Sequence, residues 1–238
     1  MSAEPLRRAE VAPETTLVGV MGVMLEAASE GALWWADEGM LVVADLHLEK
    51  GSSFARRGQL LPPYDTGETL ARLARLIDRF RPRVVVALGD SFHDPDAATR
   101  LNPRDRAQLA ALQVGRDWIW LAGNHDPDAP AGVAGQTLET LAVGRLTFRH
   151  EPAVGPAEGE IAGHLHPAAR VVGRGRSVRR RCFAGDGYRL IMPAFGAYTG
   201  GLDVFDRAFD GLFVPGLFRA YMLGEDRVYA VGLRALGA

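Results

Sequence analysis

Short apolar runs rich in valine, leucine and isoleucine recur along the chain, divided first by helix-spaced segments and later only by turns. "LVGVMGVMLE" (17–26) and "ALWWA" (32–36), with "AASEG" between them, predict strands around a turn. "MLVVADLHL" (40–48) is a continuous apolar run that predicts a strand buried on both faces. In "DTGETLARLARLIDRF" (65–80), Leu70, Leu73, Ile77 and Phe80 fall at helical spacing, with Asp65 or Thr66 as N-cap. "RVVVALGD" (83–90) predicts a second buried strand, "PRDRAQLAALQ" (103–113) a second helix and "DWIWLAGNHD" (117–126) a third strand running into a loop.

This strand–helix alternation implies right-handed parallel crossovers. From about residue 137 the runs become short and β-like: "TLAVG", "RLTFRHEP", "GEIAGHLHP", "ARVVG", "SVRRRCF" and "YRLIMPAF". A closing hairpin turns at "LGED" (223–226). The expected fold class is α/β, with two facing mixed β-sheets and helices outside. Residues 1–15 read as a flexible lead-in and 16–238 as a single domain.

Composition narrows the possibilities. The 238 residues are 47% hydrophobic, enough for one full core, and a net charge of −2 gives no global attraction to nucleic acid or membranes. One cysteine, Cys182, excludes an intrachain disulfide and a thiolate-bound metal cluster, and points to the cytoplasm. The run at 17–25 is far shorter than the ~20 residues of a membrane span and lacks the flanks of a secretory signal. A soluble, unexported protein is expected.

The candidate chemistry lies in six histidines, 47, 93, 125, 150, 164 and 166, each at or just beyond the end of a predicted strand. In such sheets ligands gather outside the carboxyl ends of the strands. Asp45 with His47, and His164 with His166, are two residues apart, so an extended backbone would project each pair to one face. Asp90, Asn124 and His125 close neighbouring strands. Glycines 89, 123 and 163 each lie just before a candidate ligand, where a tight turn or close backbone approach would demand them. D-x-H or GD alone is compatible with a turn or cap, whereas histidines two apart on a strand already favour metal; four segments in this order point to it.

DLH (45–47), GDSFHD (89–94), GNHD (123–126), His150 and GHLH (163–166) resemble, in order, the five motifs of the calcineurin-like metallophosphoesterases. Loop wording such as "ADLHLEKG" and "LIMPAFGAYTGG" is most similar to the bacterial DNA ligase-associated phosphoesterases and endonucleases. The resemblance implies a four-layer sandwich and two divalent metal ions. One ion would be held by Asp45, His47, Asp90 and His166, and the other by Asp90, Asn124, His150 and His164. The mixed nitrogen and oxygen ligands suit manganese, with iron or zinc as alternatives. It further implies that a hydroxide between the ions attacks phosphorus, while His125 protonates the leaving group and Asp126 holds that imidazole. His93 stands where the superfamily usually has aspartate. It would face the substrate phosphate or orient a ligand, with Asp94 supporting the ligands from behind.

Substrate signals are local. Lys50, Arg56 and Arg57 follow the first motif, within reach of a phosphate. "ARVVGRGRSVRRRC" (169–182) carries six arginines and no acid, which fits either a solvated hairpin or contacts to a polyanion. Phe195 and Tyr198 fit either a base-stacking shelf or loop packing. The leading expectation is a phosphodiesterase or endonuclease acting on DNA, in repair, with ligase or helicase partners by resemblance and no membrane. The alternatives are hydrolysis of a nucleotide, cyclic nucleotide or nucleotide-sugar pyrophosphate, and a binding scaffold with an inert site.

Overall fold

The computed structural model describes residues 15–128, 130–173, 175–214 and 216–237. The lead-in expected at the N-terminus lies outside them, apart from Thr15, which opens the first strand.

In chain order the first half holds β1 (Thr15–Val20), β2 (Val23–Ala28), β3 (Leu33–Trp35), β4 (Met40–Val43), α1 (Lys50–Arg56), α2 (Asp65–Phe80), β5 (Val84–Ala87), α3 (Ala97–Arg100), α4 (Pro103–Gln113), β6 (Asp117–Leu121) and β7 (Gln136–Leu138). Its strands form one sheet in sequence order, antiparallel from β1 to β4 and parallel from β4 to β7. The run at 17–26 is a hairpin, because Met21 and Gly22 both take positive φ (49° and 81°), as a two-residue turn between twisted strands requires.

The second half holds β8 (Thr140–Val143), β9 (Leu146–Arg149), β10 (Glu160–Ala162), β11 (Pro167–Gly173), β12 (Arg176–Gly185), β13 (Arg189–Ile191), β14 (Leu202–Asp203), β15 (Arg219–Leu223) and β16 (Val228–Gly232). These make a nine-stranded mixed sheet in which β9, β10 and β13 run parallel. The last hairpin turns over Gly224–Arg227, one residue later than the sequence suggests.

The alternation of side chains on each strand explains the two-sided burial of the first sheet. Val42, Val86 and Leu121 face Phe148, Ile161, Phe183 and Leu190 of the second sheet. Leu41, Val43, Val85 and Ala87 point the other way, onto Leu70, Leu73 and Ile77 of α2 and Leu109 of α4. Among the described residues, α-helices therefore cover only the first sheet, while a 3-10 turn at Arg207–Phe209 sets Phe209 against Ile191 of the second. The outer face of the second packs Cys182, Ala184, Ala220 and Met222 under Val204, Phe213 and Phe218, from the segment between β14 and β15. The two helices expected from periodicity occur with the expected bounds. The short α1 and α3 carry no amphipathic repeat and were not anticipated. Nor do Asp65 and Thr66 cap α2: they accept hydrogen bonds from the Gly51 and Glu49 amides (3.0 and 2.8 Å) and tie α1 to it.

Candidate metal centre

The parallel strands β4, β5 and β6 of one sheet, and β9 and β10 of the other, release their chains toward the same region, and the six histidines meet there. The extended-backbone route to this meeting is not the one taken. Asp45, His47, Asp90, His164 and His166 all have positive φ, between 43° and 68°. Non-glycine residues in that region carry strain of order 1–3 kcal/mol each and persist only where surroundings over-determine them. Here the amides of Asp45, His47 and Leu48 donate in turn to the carbonyls of Gly89, Asp90 and Ser91 (3.3, 2.9 and 2.9 Å). Each left-handed residue sends its side chain to the site, while Leu46, Leu48 and Leu165 between them enter the core.

Three glycines make room for this. Gly89 has φ +74°, and a Cβ there would lie 2.6 Å from the His150 ring. A Cβ at Gly123 would overlap the Asp90 amide and carboxylate, and one at Gly163 would come 2.7 Å from Asp45 Oδ2. The expectation of close backbone approach at these positions agrees with the geometry.

Three groups of ligand atoms converge: Asp45, His47 and His166; His47, Asp90 and His125; and Asp90, His150 and His164. His166 Nε2 lies 3.2 Å from Asp45 Oδ1. His150 Nε2 lies 3.4 Å from Asp90 Oδ1, whereas His47 Nε2 is 3.9 Å from Asp90 Oδ2. Asp90 thus turns one oxygen to each side. His150 Nδ1–H donates to the Leu88 carbonyl at 2.7 Å, which leaves Nε2 as a ligand atom facing His164 Nδ1 at 3.2 Å. The Asp45 carboxylate, fully buried, also receives the His164 amide (3.1 and 3.2 Å). Asn124 is exposed and joins His150, Arg149 and Glu151 in lining a cleft of about 520 Å³ between the sheets.

These residues fit divalent cations. His166 Nε2 is buried yet makes no hydrogen bond among the described residues, and several imidazole nitrogens point at one another or at carboxylates. Imidazole, carboxylate and carboxamide donors with no thiolate form the set such ions take. Electrostatics agree. Burial lowers the His47 pKa to about 3, against the pull of Asp90. Burial opposes the charge on His150 as well, yet the Asp90 hydrogen bond and Asp45 push it up to about 9, so its Nε2 carries a proton that a cation binding between these carboxylates would displace. Burial likewise opposes ionisation of Asp90, but His150, the His125 amide and His47 hold it below the usual carboxylate range.

The remaining sequence candidates separate. His125 is 46% exposed on its side chain, its Nδ1 donates to the His93 carbonyl at 3.0 Å, and its Nε2 is 3.8 Å from Asp90 Oδ2. Asp126 does not hold that ring. It is buried, and its Oδ2 accepts from the Ser91 and Phe92 amides (2.8 and 3.0 Å), clamping the turn that carries Asp90. His93 stacks on His125 (5.2 Å, 18°) and places Nδ1 3.4 Å from His47 Nδ1. Burial, with the charge of Lys50, lowers the His93 pKa to about 4, so the imidazole is neutral at neutral pH.

Asp94 clasps Arg100 through both oxygens (2.8 and 2.6 Å), and Arg100 Nε reaches Ser52 Oγ, joining the His93 loop to α1. Lys50 lies over Phe54 (5.9 Å), which in turn flanks His93 (5.7 Å). Arg56 pairs with Asp96 at the surface (3.7 Å). Phe195 is fully buried beneath the Arg72 guanidinium (5.0 Å) and offers no shelf for a base. The contributions of Ser52, Thr66 and Arg100 carry no sequence signal, because each acts across segments far apart in the chain.

No curated protein matches the chain. Among solved structures it is similar to a nuclease MPE of Pseudomonas putida, with 28% identity, 91% of this chain and 100% of that one covered, and a TM-score of 0.68. Yfce, a phosphoesterase from E. coli, aligns at 13% identity over 82% of this chain and 98% of that chain, with a TM-score of 0.39. The calcineurin-like phosphoesterase family matches residues 40–191, a segment that contains every residue of the three ligand groups. With that match over most of its length and the ligand groups inside it, the chain belongs to the calcineurin-like phosphoesterases and is a metal-dependent phosphoesterase.

Proposed function

We propose that this protein is a nuclease that hydrolyses phosphodiester bonds of DNA with two divalent cations, manganese favoured over iron or zinc. The observation that supports this most is Asp90, whose Oδ1 faces His150 and whose Oδ2 faces His47, one oxygen for each of the two ligand groups it joins. Asp45, His47, Asp90 and His166 would hold one cation, and Asp90, Asn124, His150 and His164 the other. When bound, the cations supply Lewis acidity at the phosphoryl oxygens and an activated water.

The chain's own groups do the rest. His125, oriented through Nδ1, carries on Nε2 the proton that the leaving oxygen takes up. His93, neutral and stacked on it, fixes the ring plane and offers a hydrogen bond to a substrate oxygen. Lys50 and Arg57 raise the positive potential on the same side, as their influence on His93 records. A role in DNA repair beside a ligase or helicase follows the motif resemblance, and a cytoplasmic location the single cysteine. The similarity to the Pseudomonas nuclease supports a nucleic-acid substrate.

The test is a manganese-supplemented assay on single-stranded DNA, duplex DNA, nucleoside cyclic phosphates and an aryl phosphodiester. Cleavage of DNA that weakens steeply with added salt is the expected result. Turnover confined to the small esters, insensitive to salt, would reject the nuclease reading.

A further inference from the structure

The β11–β12 hairpin leaves the metal centre directly, since Pro167 follows His166. Its register pairs Arg170 with Arg179 and Ala168 with Arg181, so these three arginines share one face. Arg180 pairs with Ala169 and lies on the opposite face, and Arg174 lies outside the described residues. Like charges directly opposite one another on a sheet repel. Nothing relieves the repulsion here: among the described residues no carboxylate pairs with Arg170, Arg179 or Arg181. Asp203, on the strand beside Ala168, turns its carboxylate to the Phe205 amide (3.1 Å).

The guanidiniums are held but not neutralised. Arg179 donates to the Gly201 carbonyl (2.6 Å) and Arg181 to the Ala194 carbonyl (2.7 Å), while Arg170 Nε is buried with no partner among the described residues. Gly201 in turn is packed against the centre, for a Cβ there would lie 2.6 Å from the His166 carbonyl. Arg179 is therefore one residue removed from a metal-centre histidine. A row of positioned, unneutralised cations beginning at that histidine is the arrangement that takes successive phosphates of a chain, whereas a single small ester would not reach along it.

We propose that Arg170 and Arg179 bind the phosphate backbone of a polynucleotide on the His166 side of the centre and give the enzyme its preference for long substrates. This rests on the nuclease reading above. The test compares the manganese-loaded full chain with its Arg170→Gln, Arg170→Gln/Arg179→Gln and Arg180→Gln variants on an oligonucleotide and on an aryl phosphodiester.

In the double variant, kcat/KM for the oligonucleotide should fall at least about tenfold relative to that for the aryl diester. The slope of log affinity against log salt should flatten by roughly 1.4 for a single strand, about 0.7 per lost contact. Arg170→Gln, which breaks no hydrogen bond among the described residues, should show about half that change in slope, and Arg180→Gln none. An unchanged substrate ratio and salt slope in both Arg170 variants would overturn the proposal while leaving the nuclease intact. Wild-type protein that cleaves the aryl diester but no single- or double-stranded oligonucleotide would overturn both.

Discussion

The carbonyl oxygen of His93 lies 3.0 Å from Nδ1 of His125, and the two rings stack at 5.2 Å. A backbone acceptor thus fixes which nitrogen of His125 is free for chemistry, a task that a neighbouring carboxylate performs in many histidine-dependent enzymes. Removing the His125 ring should lower turnover by about 10²–10⁴-fold, the usual worth of a positioned acid. Elemental analysis of His125→Ala should show the metal content of the wild type. Near-wild-type turnover in that variant would exclude the acid role.

Among the described residues, Asp90 is the carboxylate that belongs to two of the three ligand groups. Asp90→Asn should therefore lose both cations as well as activity, whereas Asp45→Asn should weaken binding on one side only. Metal stoichiometry by calorimetry separates the two results, and two full-affinity sites in Asp90→Asn would show that the bridge is elsewhere.

Gly163 touches Asp45 through space that only a hydrogen can occupy. Gly163→Ala would bring a methyl 2.7 Å from Asp45 Oδ2 and 3.1 Å from the Ala44 Cβ. Metal affinity should fall about 10–100-fold, the range typical of groups that hold ligands in place. The circular dichroism spectrum should be unchanged. Equal affinity in the variant would mean that the Asp45 loop yields freely.

Asp94 titrates low because Arg100 hydrogen-bonds both of its oxygens, which takes its pKa from 3.8 to about 2. A carboxyl with a depressed folded pKa contributes stability above its unfolded value, and that contribution disappears as pH falls through about 2. Carboxyl NMR should show the low midpoint, and Arg100→Met should return it toward the ordinary range. A midpoint unmoved by Arg100→Met would exclude the clasp as the cause.

Arg189, 1% exposed, is held by Glu160 (2.5 Å) and by the Leu212 and Ala153 carbonyls (both 2.7 Å). Arg189→Met leaves the buried Glu160 carboxylate with only the Ala153 amide (3.0 Å) and the longer Arg149 contact (3.5 Å), and should cost about 3 kcal/mol. Urea unfolding measures the loss. Adding Glu160→Gln should recover part of it, because the buried charge that Arg149 only weakly balances is then gone; no recovery would point to lost packing instead.

The order of elements was legible in the chain because hydrophobic period and buried apolar runs are local properties. So was the candidate site, since histidines, carboxylates and glycines placed just beyond strand ends mark where parallel strands open. What stayed hidden was anything that depends on residues distant in sequence. The short α1 is held by Asp65 and Thr66, whose side chains look like caps for their own helix. Asp126 looks like a partner for its neighbour His125, yet the Ser91 and Phe92 amides claim it from across the fold.

By itself the sequence determined the α/β class, the two long helices and the set of residues that could meet at strand ends. Only the tertiary structure decided how they meet. The two-residue spacing of Asp45 and His47 suggests a pleated strand, but the amides there bond to the 89–91 loop of the next strand, and the backbone turns left-handed to reach it. Spacing is written in the chain. The hydrogen-bond partners that choose between an extended and a left-handed backbone come from another part of it, and exist only after the sheets have packed.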